Sequence, residues 1–404
     1  MKNHLYVFIL LCLGAAGLTS CSEEENPQFD KDTFTKIYDN NKYNASNFAI
    51  DMQQTPDGGF LILGGRIVPE DSAATGIYLM KLDEFGNFVK ELEVEATSVN
   101  PVASLTMFQT KYYFLCMDHG SQQAQIASVD ANLEAVTITP VQGGLSYPAA
   151  ASFVDNNFVV VGYNQVDRLT TLSIVSPDGG MLSYKGFSIG AAGDDIEKPI
   201  IEHYIRTGRK FPFAAGKAPN GLYYFNGFYN YTFSLVFTDM NADDPNGVIQ
   251  GIQDDGGISA ITPIGGNKFA SARFNFGDNY LMPNRDIATS GISSSINLGG
   301  YNLPELVANA KVRILRATVD EKRILIYGSD TKAKQIGLLY YDESTGTFIN
   351  SRYLGFSNPF EIVSITQTAD EGLAVCGMTQ LAGRFARITV FKLSKEQLQQ
   401  DVAK

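Results

Sequence analysis

Two stretches near opposite ends of this chain repeat one another, and this constrains the fold more than any other feature. Residues 52–66 read MQQTPDGGFLILGGR and residues 365–379 read ITQTADEGLAVCGMT. Both run Gln-Thr-x-Asp-x-Gly, then an apolar strand, then Gly. The first continues as IYLMKLDEFGNFVKE and the second as ARITVFKLSKEQL. Self-similarity at two ends calls for copies between them. The turn after the apolar strand supplies these: QIASVDANLEA, LSIVSPDGGML, SLVFTDMNADDPNGV and GLLYYDESTGTF follow YLMKLDEFGNF in order. Anchored on Asp83, Asp130, Ser176, Asp239, Asp342 and Ser394, the copies recur at roughly 45–60 residues, with one double-length gap. A worn copy at residues 257–305 fills that gap.

Each copy reads as four short strands punctuated by Asp, Gly, Asn and Pro. One small sheet cannot bury both apolar faces alone, whereas a ring of sheets buries each against its neighbours. The expectation is an all-β chain, a seven-bladed β-propeller over residues 33–395. A pair of β-sandwiches is the rival, but it does not explain the even spacing. The last copy lacks its outermost strand. The N-terminal TFTKIYD aligns with TFINSRYL of residues 347–354, the fourth-strand position, with no copy before it. Residues 33–38 are therefore expected to complete the last blade and close the ring. Residues 396–404 read as a short C-terminal helix or tail.

The first residues fix an address. Lys2 precedes the apolar run LYVFILLCLGAAG, residues 5–17, which is shorter than the roughly 20 residues of a membrane span and matches the core of a secretory signal. Leu18, Thr19 and Ser20 then lead into Cys21. This resembles a bacterial lipobox, in which the thiol accepts a diacylglycerol. The resemblance implies a signal peptide over residues 1–20, lipidation at Cys21, and a membrane anchor made of acyl chains. Residues 21–32 form an acidic tether. Its SEEEN resembles the tract that sends Bacteroidetes lipoproteins to the outer face of the outer membrane.

The blade pattern, Gln-Thr-x-Asp-Gly-Gly-aromatic, Gly-Gly, Leu-x-Lys-Leu-Asp-x-x-Gly-Asn, resembles repeats of propeller-type surface lipoproteins of Bacteroidetes. The match covers residues 47–93 and 360–393. It implies a fold and a location rather than an activity, and the Asp and Gly residues are accounted for by tight turns.

The formal charge of −12 argues against nucleic acid and anionic lipid surfaces as partners. Cys116 and Cys376 each sit in an apolar strand-like run; they read as two buried thiols, with a disulfide as the alternative. Only His119 and His203 follow the signal segment. There is no G-x-S-x-G elbow, H-E-x-x-H or P-loop, and no catalytic residue is assigned. Asp194–Asp195 and Asp254–Asp255 sit with glycine and read as solvated turns. In DMNADDPNG, Asp239, Asn241 and Asp243 alternate as calcium ligands do, but the glycine and closing glutamate of such a loop are missing. Calcium is thus a weak candidate cofactor.

Residues 222–237, LYYFNGFYNYTFSLVF, are the most aromatic stretch. Tyr223, Tyr224, Tyr229 and Tyr231, with Arg206, Arg209 and Lys210 of the long insertion before them, are the candidate ligand-binding residues. A second long irregular region spans residues 278–307. Long loops on a rigid scaffold are where binding sits. The leading functional reading is a non-enzymatic outer-membrane surface lipoprotein that binds a protein partner, as an accessory subunit of a transporter or other surface assembly. The alternatives are capture of a glycan, peptide or metal chelate, and a propeller hydrolase or lyase. Convergent Asp, Glu, His or Arg at one mouth of the central channel points to an enzyme. An apolar or simply hydrated channel points to binding.

Overall fold

The apolar run of residues 60–63 opens the strand Phe60–Val68 and is extended because both faces are covered. Phe60 and Ile62 pack on one side, against Val363, Cys376 and Val390 of the last repeat. Leu61 and Leu63 pack on the other, against Tyr112, Phe114 and Val129 of the second. With period-two alternation and two buried faces, every residue in the run must be apolar.

The structure is a computed structural model and describes residues 30–39, 47–68, 71–191, 194–381 and 385–403. The leader, Cys21 and the acidic tract lie outside the described residues. No helix among the described residues is long and apolar enough to cross a membrane.

The chain is all-β apart from two α-helices and one 3-10 turn among the described residues. Its unit is the antiparallel meander. The first runs Asn47–Gln54, Phe60–Val68, Asp71–Leu82 and Phe88–Glu93. Later meanders begin with first strands Thr106–Phe108, Ala150–Val154, Ala214–Lys217, Gly256–Gly265, Val312–Val319 and Phe360–Gln367. The first two meanders join into one nine-stranded sheet through Ser98–Val99. Four-stranded units of this kind are the blades of a β-propeller.

Apolar clusters join each meander to the next. Leu115 and Ile126 meet Phe158 and Val160; Val159 and Leu172 meet Phe225 and Val236; Leu235 and Phe237 meet Ile258 and Phe269. Ala270 and Leu281 then meet Leu325 and Tyr327, and Ile326 and Leu338 meet Ile362 and Val375. The strand Phe34–Tyr38 pairs antiparallel with Phe385–Leu393, in the register Phe34↔Lys392 to Tyr38↔Ile388. It is the fourth strand of the last sheet.

Two local expectations need correction. Asp194 and Asp195 are not a solvated turn: they open helix α1, Asp194–Tyr204, where acidic residues favour the first turn. Residues 278–307 are not uniformly irregular. Asp278–Asp286 is a ladder strand, and Gly291–Ser294 adds parallel to Gly247–Gln250 on the edge of the preceding sheet. This diversion leaves the fifth meander only the two-residue outer strand Tyr301–Asn302. The C-terminal segment is a short helix, one of the two forms expected, and it is docked. Helix α2, Lys395–Val402, opens with a capping box between Ser394 and Gln397. It buries Leu398 completely and pairs Asp401 with Arg352 at 2.5 and 2.8 Å.

Candidate functional site

The repeated motif is structural, and more than its turn is used. In the first repeat Thr55 Oγ1 donates to Asp57 Oδ1 at 2.5 Å, and Lys81 Nζ donates to the same carboxylate at 2.8 Å and to Thr55 Oγ1. In the last repeat Thr368 donates to Asp370 at 2.5 Å, and Lys392 reaches its two oxygens at 3.0 and 2.8 Å. Lys81 and Lys392 are 4% and 2% exposed. The motif glutamines join neighbours. Gln54 Oε1 accepts from Ala369 N at 2.7 Å, and Gln367 bonds both backbone groups of Thr318, at 3.1 and 2.7 Å. Tight turns alone therefore do not account for the motif: it clamps each first turn to its own third strand and to the preceding meander.

The aromatic and basic candidates do not form one surface. Tyr224 is buried in the core between the fourth and fifth meanders. Tyr223 is half-buried under Lys217, and Tyr229 lies edge-on to Phe187. Tyr231 is exposed, and its hydroxyl accepts from Ala191 N at 3.0 Å. Arg209 pairs with Asp254 at 3.1 Å and stacks on Phe211. Lys210 Nζ donates to the carbonyls of His203 and Ile205 at 2.5 and 2.8 Å, satisfying the C-terminal end of α1. Arg206 N donates to Ala73 O at 2.8 Å, while its Nε is buried without a hydrogen-bond partner.

These cations fasten the α1 insertion. The insertion is further held by Tyr163 to Glu197 at 2.7 Å, by Asn100 Nδ2 to Tyr204 O at 3.2 Å and by Tyr204 to Tyr147 O. It thus touches segments of the first through fifth meanders at one end of their strands. His203 accepts from Phe211 N at 2.9 Å, and burial, helped by Lys210, holds its pKa down to about 3.

Charge does converge elsewhere. The first strands touch one another: Asn47–Gln54 and Val312–Val319 both lie against Phe360–Gln367, Gly256–Gly265 against Val312–Val319, and Ala150–Val154 against Ala214–Lys217. They gather around a common axis. Near it sit Asp51, Lys311, Arg313, Asp330 and Glu361. Asp51 and Arg313 belong to strands on either side of the last meander, yet each acts electrostatically on the other. Lys311 likewise senses Arg313, Asp330 and Glu361. Lys311 and Glu361 are exposed, and Asp51, Arg313 and Asp330 are half-exposed. Burial is nonetheless the largest influence on Asp51, Lys311, Arg313 and Asp330. The five side chains form one charged cluster beside the gathered first strands, open to solvent at Lys311 and Glu361.

The members differ in how firmly they are held. Asp51 accepts from the N–H groups of Met52, Ser104 and Leu105 at 2.8, 3.0 and 2.8 Å; burial still raises its pKa. Asp330 Oδ1 accepts from Ile362 N at 2.5 Å, and burial raises its pKa to about 6. Arg313 Nε donates to Val363 O at 2.6 Å. Val363 sits where the ladder slips between Ile362 and Ser364, a bulge that frees its carbonyl. The Arg313 Nη groups, Lys311 Nζ and the Glu361 carboxylate have no hydrogen-bond or ion-pair partner among the described residues. Burial lowers the pKa of both Arg313 and Lys311, and in Lys311 the Arg313 charge adds to this. This group was missed in the sequence. Its signal there is KVRIL, two cations at alternate positions entering an otherwise apolar strand.

Asp239 Oδ1 accepts from the N–H groups of Asn241 and Ala242 at 2.8 and 3.0 Å, an exposed turn that also carries Asp243. No group of three or more His, Cys, Asp or Glu able to hold a metal occurs among the described residues. Cys116 and Cys376 are buried free thiols.

No protein-family model matches this chain, and no curated protein matches it. Solved structures do. The WD40 β-propeller domain of Doa1 is 10% identical, covering 88% of this chain and 99% of that one, at a TM-score of 0.48. Raptor from Chaetomium thermophilum is 10% identical over 86% of this chain and 28% of its own, at a TM-score of 0.50. A periplasmic gluconolactonase from Pseudomonas aeruginosa is 11% identical, covering 83% and 96%, at 0.47. Likeness at this identity concerns the fold alone.

Proposed function

We propose that this chain is a lipid-anchored outer-membrane surface protein that binds a small charged ligand at the axis of a seven-bladed propeller. The ring is closed by Phe34–Tyr38, and the protein works beside a protein partner in the membrane. Pairing of that strand with Phe385–Leu393 supports the closure, as does the cluster joining the last and first meanders. The lipobox-like segment at Cys21 supports the anchor.

One observation favours capture of a ligand: Arg313 is fixed through Nε to Val363 O, and neither its Nη groups nor Lys311 Nζ has a hydrogen-bonded acid among the described residues. Two like charges two residues apart repel one another, and a bound anionic group offsets that cost. Two of the acids are tied to backbone N–H groups, which suits a binding site better than mobile acid–base catalysis. A hydrolase or lyase is the second reading, favoured by the convergence of Asp51, Arg313, Asp330 and Glu361 and by the Asp330 carboxyl at about 6 beside Arg313, a value suited to a general acid.

The test is purification of the tagged, lipidated protein from gently solubilised outer membranes, followed by native mass spectrometry. A retained small molecule lost on replacing Lys311, together with a stoichiometric membrane protein, is the expected result. Recovery of the bare chain alone overturns both parts.

A further inference from the structure

We propose that the axial ligand is a small zwitterion, a free α-amino acid or a di- or tripeptide, its carboxylate held by Arg313 and Lys311 and its ammonium by Glu361. This rests on the ligand-capture reading above and names the ligand's chemistry.

The choice follows from which groups remain available. Asp51 is saturated by three backbone N–H donors. Asp330 has one oxygen committed to Ile362 N. Arg313 is fixed through Nε to Val363 O, which orients its guanidinium and leaves the Nη edge, a fork suited to a carboxylate. Lys311 adds a second cation two residues before Arg313, its own carbonyl held by Ser329 Oγ at 2.9 Å. Glu361 has neither carboxylate oxygen hydrogen-bonded among the described residues, and it neighbours Ile362, whose N–H holds Asp330. It acts electrostatically on both Lys311 and Asp330.

Charge balance selects between ligand types. The five groups carry two positive and three negative formal charges. A plain anion satisfies the cations but adds a charge facing Glu361. A plain cation satisfies Glu361 and leaves Arg313 and Lys311 repelling one another. A zwitterion engages all three and leaves the net charge unchanged. Lys311, Arg313 and Glu361 stand at the starting ends of their strands, and Lys311 and Glu361 are exposed there.

The experiment is calorimetric titration of the full chain in detergent. The probes are free amino acids, di- and tripeptides, acetate and succinate, simple amines, and amino acids blocked at either end. Zwitterions are expected to bind. Blocking either end, or replacing the exposed Lys311 (Lys311→Gln), should weaken them about tenfold or more, the worth of a charge-assisted hydrogen bond. Glu361→Gln should abolish the preference for a free ammonium group. The relative affinity of amino acids and peptides identifies the source. If acetate binds as tightly as any zwitterion and Glu361→Gln changes nothing, the zwitterion is wrong while ligand capture stands. If no probe binds and the purified native protein retains no small molecule, ligand capture falls with it. Melting curves establish that both exposed-site variants fold.

Discussion

Removing the acid of the repeated clamp should harm the protein more than removing its base. Lys392 is 2% exposed and its ammonium sits 2.8 and 3.0 Å from the Asp370 oxygens, whose side chain is 41% exposed. Asp370→Ala strands a buried ammonium. Breaking a buried pair this way costs about 3–5 kcal/mol; water reaching the Asp370 side reduces that to about 2–3 kcal/mol. Lys392→Met removes the ammonium, fills its apolar path, and leaves a carboxylate that water and Thr368 can still solvate. Its cost is about 1 kcal/mol or less. The double variant is decisive. Lys392→Met added to Asp370→Ala should recover about 1–2 kcal/mol, because no charge is then stranded. The assay is urea unfolding followed by circular dichroism, with the midpoint compared at constant slope. A double variant no more stable than Asp370→Ala refutes the reasoning and assigns the loss to the turn. The pH dependence gives a second check. Burial raises the Asp370 pKa, but the Lys392 and Thr368 hydrogen bonds outweigh it and hold it below the usual range. That stabilisation is present above the unfolded carboxyl pKa of about 3.9 and fades as pH falls through the folded value. The wild type should therefore lose its advantage over Asp370→Ala in acid.

Other outcomes follow from the same geometry. The Asp330 pKa is raised to about 6 by burial, so its charged form destabilises the fold as pH rises from about 4 through 6. Asp330→Asn keeps an acceptor for Ile362 N and should be more stable at pH 8 by no more than about 3 kcal/mol, equalling wild type below pH about 4; a less stable variant at pH 8 would contradict this. Phe34 lies edge-on to Phe60 at 6.5 Å, and Ile37 packs against the cluster of the last two meanders. Phe34→Ala with Ile37→Ala should cost about 2–4 kcal/mol in urea unfolding, and an unchanged midpoint argues against closure by this strand. Burial pushes the Cys116 thiol up to about 12 and that of Cys376 upward as well. A disulfide-exchange reagent should label both only after denaturation; rapid labelling of the native protein would place them at the surface.

Much of the architecture is legible in the sequence because it depends on local periodicity. Doubly apolar runs such as FLILGG require cover on both faces, and the spacing of the Asp-containing turns counts the meanders. The alignment of TFTKIYD with TFINSRYL foresaw the pairing of Phe34–Tyr38 with the last sheet. Helix α1 was not legible: Pro199 interrupts its interior and glycines precede it, so local propensity argues against a helix that tertiary packing of Ile200 and Tyr204 sustains. The aromatic residues of the fourth meander were misleading for a related reason, since composition does not tell a core hairpin from a stacking surface.

Neighbouring residues along the chain suffice to set the repeating unit and the strand faces. Tertiary structure decided which charges meet. Asp51 and Arg313 are far apart along the chain and lie in non-adjacent meanders, and only the gathering of first strands around one axis brings their fields together. It also decided that Arg209 and Lys210 are spent on fastening an insertion while Lys311 and Arg313 are left unpaired. Partners of an ionisable group are set by long-range packing, and no local pattern encodes them.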